Sequence, residues 1–93
     1  MPDKDPNIKP KEIEDISILE SREHEIILYN DDVNTFDHVI VTLVSVCNHT
    51  YEQAEQCAYI VHFSGKCSVK KGKFSYLEPL CLKLLQADLS AEI

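Results

Sequence analysis

Across the short stretch Asn30-Asp31-Asp32 the chain changes its hydrophobic period, and that change constrains its fold more than any other feature. Upstream, His24 to Tyr29 is short and rich in β-formers, and the Asn/Asp cluster that follows is a turn signal, so the run reads as a strand. Downstream, Phe36, Val39, Ile40, Leu43, Val44 and Cys47 recur at three-and-four spacing and make one face of a helix. Its many β-branched residues weaken helix propensity, so burial must hold it together, with Asn34 or Thr35 as cap.

Asn48-His49 breaks this helix. Thr50 and Gln53, three residues apart, fit a capping box for a second helix from Tyr51 to about His62 or Phe63. Tyr51, Ala54, Cys57, Ala58 and Val61 are expected to face inward, and Ser64-Gly65 to stop the helix in a left-handed terminus. Lys66 to Lys70 reads as a second strand and Lys71-Gly72-Lys73 as a turn. Ser75 and Glu78 suggest a second capping box, with Pro79 tolerated in the first turn. Leu77, Leu80, Cys81, Leu84 and Leu85 then form a third helical stripe, Asp88 closes it, and Leu89 to Ile93 alternates like a last strand. The order β-α-α-β-α-β predicts an α+β two-layer sandwich, three helices on one face of a small three-stranded antiparallel sheet. Residues 1–22, which hold Pro2, Pro6 and Pro10 among mixed charges, are expected to be a flexible arm, and residues 23–93 the core.

Several function classes fall away. A chain of 93 residues has room for one domain. No apolar run approaches the ~20 residues of a membrane span, and the first residues lack a signal-peptide layout, so a soluble, cytoplasmic protein with no membrane partner is expected. A net charge of −7 argues against nucleic acid and suits a cationic ligand as well as simple solubility. The four cysteines form no C-x-x-C pair and the histidines have no ligand spacing, so neither metal nor cofactor is expected. Cys47, Cys57 and Cys81 fall on apolar helix faces, where a thiol acts as a small hydrophobe. The chain has two glycines, no phosphate loop and no nucleophile elbow, and Cys57 and His62 diverge on one helix; no enzyme is expected. A monomer is the default.

Taken singly, Asn30-Asp31-Asp32 is an ordinary turn before a helix, and His62 an ordinary helix-end histidine. Taken together, Ile27-Leu28-Tyr29-Asn30-Asp31-Asp32, the helix opening near Phe36, and Ile60-Val61-His62-Phe63-Ser64-Gly65-Lys66 resemble the ClpS family of Clp protease adaptors. In that family a strand ending in N-D-D precedes an amphipathic helix, and a second helix closes on V-H-x-x-G-K. The thirty-two residues from Asn30 to His62 agree with its spacing.

The resemblance implies a fold similar to the C-terminal domain of the bacterial ribosomal stalk protein. It also implies an adaptor that grips proteins with N-terminal Leu, Phe, Tyr or Trp and delivers them to the N-terminal domain of a Clp AAA+ unfoldase. Asn30, Asp32 and His62 would receive the free α-amino group, with Asp31 ordering the turn. Asn34, Phe36, Val39, Ala58, Val61 and Leu89 would enclose the first side chain. Glu78 and Lys83 would touch the unfoldase, although the T-x-E-V-A-E-type segment expected near 74–80 is replaced here by Phe74-Ser75-Tyr76-Leu77-Glu78-Pro79-Leu80. The family usually has Met where this chain has Phe36, and often where it has Ala58, so an altered ranking among the first residues is expected. The alternative is a non-catalytic interaction or regulatory domain of the same fold that binds a partner without reading N-terminal residues.

Overall fold

The structure, a computed structural model, describes residues 22–93. The arm expected over 1–22 therefore lies outside the described residues except for Arg22. Strand β1 (His24–Tyr29) is followed by helices α1 (Phe36–Cys47) and α2 (Tyr51–Ser64), strand β2 (Lys66–Gly72), helix α3 (Phe74–Gln86) and strand β3 (Ser90–Glu92). This is the expected β-α-α-β-α-β order, in a three-stranded antiparallel sheet ordered β2-β1-β3.

The central place of β1 follows from its pattern. Ile26 and Leu28 face the helices and are buried, while Ile27 between them is half-buried and Glu25 before them is exposed, the period of two that lets one sheet face meet a core. Its pairing with β2 shifts between Ile26 and Ile27, from partner Lys70 to partner Ser68. Val69 is the extra residue of this bulge, and it too is buried. Leu43 and Cys47 of α1, Ala54, Ala58 and Val61 of α2, and Leu77 and Leu84 of α3 complete one core against these strands.

The helix ends show which local signals acted. Thr35, not Asn34, caps α1, its Oγ1 accepting from the His38 amide at 3.1 Å. At α2 the capping box is complete: Thr50 Oγ1 accepts from the Gln53 amide at 3.1 Å, and the Thr50 amide donates to Gln53 Oε1 at 2.9 Å. Gly65 ends α2 at φ 93°, where a side chain would be strained, and its amide donates to Val61 O.

Three expectations are corrected. Ser75-Glu78 is no capping box, because α3 begins at Phe74 with Lys73 as a cap that makes no side-chain bond. The Phe74 ring meets the His24 ring edge-on at 5.6 Å, so docking on β1 sets the start of the helix two residues earlier than the Ser/Glu pattern suggested. Pro79 consequently stands within the helix, past its first turn. Lys71 and Gly72 belong to β2, not to a turn. Finally, Tyr51, Val44 and Leu85 are exposed; among the described residues the helices form a single layer, so each buries a narrower stripe than its apolar residues span.

Cys47 and Cys81 are buried in the core, and all four cysteines carry free thiols. Burial pushes the Cys47 thiol up to about 11, and burial together with the adjacent Cys67 pushes Cys57 up to about 12. Such thiols stay protonated and act as packing groups. Among the described residues no helix is long and apolar enough to cross a membrane, and no three His, Cys, Asp or Glu side chains converge as a metal site.

Candidate functional site

Antiparallel pairing joins the two halves of the site. Tyr29 stands opposite Lys66, and one step beyond, the Asn30 amide donates to Gly65 O at 2.9 Å. The ladder thus runs from β1 into the terminus of α2, three residues after His62. The end of β1 and the end of α2 are neighbours because the register makes them so.

The turn after β1 is built around Asp31. Its Oδ1 accepts from the amides of Val33 at 2.9 Å and Asn34 at 2.8 Å, and its Oδ2 accepts from Asn34 Nδ2 at 2.9 Å. The same Nδ2 donates to Asp88 O at 2.8 Å, tying the turn to the α3–β3 connection beside Leu89. His38 adds a second tie from α1, its Nε2 donating to Ala87 O at 2.8 Å. Partial burial works against the Asp31 charge, but the bonds from Asn34 and Val33, aided by nearby His38, outweigh it and hold the carboxyl below its ordinary value near 3.8.

A depressed carboxyl stabilises the fold above its unfolded pKa and loses that contribution as pH falls through the folded value. Asp31→Asn should therefore be less stable than the wild type near neutral pH, with the gap closing below about pH 4. Urea unfolding at several pH values checks this; a gap that stays constant with pH would remove the charge from the explanation.

These ties surround a cavity of about 310 Å³. Asn30, Asp31, Asp32 and Asn34 line it from the turn, Phe36 and Val39 from α1, Ala58, Val61 and His62 from α2, and Leu89 from the α3–β3 connection. All the residues named from the sequence for the amine and for the first side chain therefore meet around one hollow. Leu28 and Tyr29 add walls that sequence reasoning missed. The sign was available, since both immediately precede the turn and Leu28 lies on the inward register of β1. Asn34, expected as a wall, spends its amide hydrogens on ties. Glu78 and Lys83 are exposed on α3 and do not line the cavity.

The hollow is apolar inside and acidic at its rim. Ala58, Val61, Leu28 and Leu89 are buried, whereas Asn30, Asp32 and His62 are exposed and, among the described residues, make no side-chain hydrogen bond. Among the described residues no Lys or Arg lines the cavity. The arrangement can hold one apolar side chain while offering an amide, a carboxylate and an imidazole to a cationic donor.

Beside the mouth lies a feature not read from the sequence, a closed set of four rings. Phe36 meets Tyr59 at 5.0 Å and His62 at 5.2 Å; Phe63 meets His62 at 4.8 Å and lies parallel to Tyr59 at 6.2 Å. Tyr59, His62 and Phe63 fall at i, i+3 and i+4 on α2, the spacing that aligns side chains on one helix face.

Fold and site define an α+β domain with an acid-rimmed apolar hollow. The chain belongs to the ClpS family: the family model described as ATP-dependent Clp protease adaptor protein ClpS matches residues 19–92. The ATP-dependent Clp protease adapter protein ClpS of Treponema denticola is 32% identical over 69 residues, covering 74% of this chain and 68% of that protein. The protein of the same name from Thermosynechococcus vestitus is 30% identical over 86 residues, covering 91% and 92%. A solved structure of Agrobacterium tumefaciens ClpS2 bound to L-phenylalaninamide shares the fold, with a TM-score of 0.62, 17% identity, and coverage of 76% of this chain and 95% of that one.

Proposed function

We propose that this chain binds proteins by a bulky apolar N-terminal residue together with its free α-amino group, and presents them to the N-terminal domain of a Clp AAA+ unfoldase. The observation that carries this reading is the meeting of Asn30, Asp32 and His62 at the rim of a hollow walled by Val39, Ala58, Val61 and Leu89. The apolar interior takes a Leu, Phe, Tyr or Trp side chain, whose burial contributes about 1.5–3 kcal/mol. The rim takes the ammonium group, whose N–H donors reach an amide oxygen, a carboxylate and an imidazole nitrogen. Family membership supports the adaptor role, and the fold neighbour's ligand, L-phenylalaninamide, has the required chemistry, an aromatic side chain beside a free amine. No covalent step is involved. Residues 23–93 act as the reading unit, and Glu78 and Lys83, on a helix away from the hollow, remain available to the unfoldase.

Selectivity follows from what an acetylated or internal residue lacks. It has no charge and fewer donors, so binding would cover Asp32 without pairing it, a desolvation cost with no return. Calorimetry with a peptide beginning in Phe and with its N-acetylated twin tests the reading. Binding of the free peptide alone is the expected result. Equal affinity for the twins would leave an interaction domain that does not read N-termini.

A further inference from the structure

We propose that the four-ring cluster beside the cavity is a second peptide subsite, which selects an aromatic side chain at the third position of an N-terminal ligand. The inference rests on the reading of the cavity as a site for the first residue, and extends it from a one-residue to a two-residue signature.

The cluster is continuous with the cavity, because Phe36 and His62 belong to both. Beyond them the rings lie open to solvent, with Phe63 76% and Tyr59 51% exposed. A lone exposed aromatic is unremarkable, but rings in mutual contact form a patch, and such patches mark binding surfaces. The other rim, from Asn30 to Asn34, is polar apart from Val33, so the α2 side is where an apolar group leaving the cavity finds apolar ground.

Backbone geometry selects the position. In an extended peptide successive side chains point to opposite faces, so with the first in the hollow the second points away from the protein. The third returns to the first one's side, roughly 6.6–7 Å further along. The rings adjoining Phe36 lie 5.0 and 5.2 Å from it, a displacement of the same order. An aromatic third residue meets the exposed Tyr59 and Phe63 rings offset or edge-on, the arrangements that ring quadrupoles favour.

Fluorescence anisotropy on the full chain with Phe-Ala-Phe, Phe-Ala-Ala and Phe-Phe-Ala peptides, each with a common labelled tail and an N-acetylated twin, tests this. An aromatic third residue should tighten binding about threefold to tenfold over alanine, the size of one favourable aromatic pair, whereas an aromatic second residue should not. In the Tyr59→Ala/Phe63→Ala variant the third-position gain should vanish, while Phe-Ala-Ala binds within about twofold of its wild-type affinity. That retained binding also shows the variant to be folded. Free-amine binding with no third-position gain, or with a gain that survives the double substitution, overturns the subsite and leaves the first-residue reading standing. Peptides that fail to bind, or bind equally when acetylated, overturn both. Self-association of the wild type that the double substitution abolishes would make the cluster a contact between copies and likewise overturn the subsite.

Discussion

Replacing Asp32 with alanine is expected to weaken binding of a free-amino peptide by about tenfold to a hundredfold, the effect of losing one charge-assisted hydrogen bond of roughly 1.5–3 kcal/mol. The opposing consideration is exposure: Asp32 is open to solvent, and an exposed ion pair in water contributes only about 0–1 kcal/mol. The larger effect therefore requires the ligand itself to cover the carboxylate when its side chain fills the hollow. A mutant cycle separates the two cases. If Asp32 acts on the ammonium group, acetylating the peptide should cost far less in Asp32→Ala than in the wild type, because the pair is already broken. Titration of both proteins with both peptides gives the four affinities; a loss under about twofold in Asp32→Ala would remove this residue from the amine site.

Leu28→Ala should destabilise the fold by about 2–5 kcal/mol, the usual cost of an emptied leucine site in a core. Leu28 is 1% exposed, in the strand paired on both edges, and it also lines the hollow. Because it has one wall in the hollow, the site has little means to collapse, which favours the upper part of that range. A domain of this size has about 5–15 kcal/mol in total, so the variant should lose much of its stability, with a lower urea midpoint and an unchanged slope. Val41→Ala is the control, since Val41 is 64% exposed and should shift stability by less than about 0.5 kcal/mol. A Leu28→Ala loss below about 1 kcal/mol would contradict the packing described.

The elements were legible where two signals coincided. For α2, a capping box, an apolar stripe and a terminal glycine all agreed, and the observed bounds follow them. For α3 the apolar stripe located the helix, but its start was marked by the Ser75-Glu78 pattern alone, which lost to the Phe74–His24 contact; that contact joins residues fifty positions apart and leaves no local trace. The hollow shows the same division. Spacing gave each wall a helix face, but that Asn30 lies beside the end of α2 depends on the Tyr29–Lys66 register, which periodicity cannot supply; the family resemblance supplied it instead. Tyr59 and Phe63 were visible at i and i+4, yet a pattern that marks one face does not say whether that face is covered.

Asn34 holds two strangers in sequence, the Asp31 side chain and the Asp88 carbonyl, with the two hydrogens of a single nitrogen. A hydroxyl at this place would carry one hydrogen and a carboxylate none at neutral pH, so among short side chains only a carboxamide closes both links. Hydrolysis of that amide to an acid would do worse than sever them, for it would set two anions face to face across the lip of the hollow. The chemical lifetime of one amide group thus bears on how long the lip of the hollow keeps its shape.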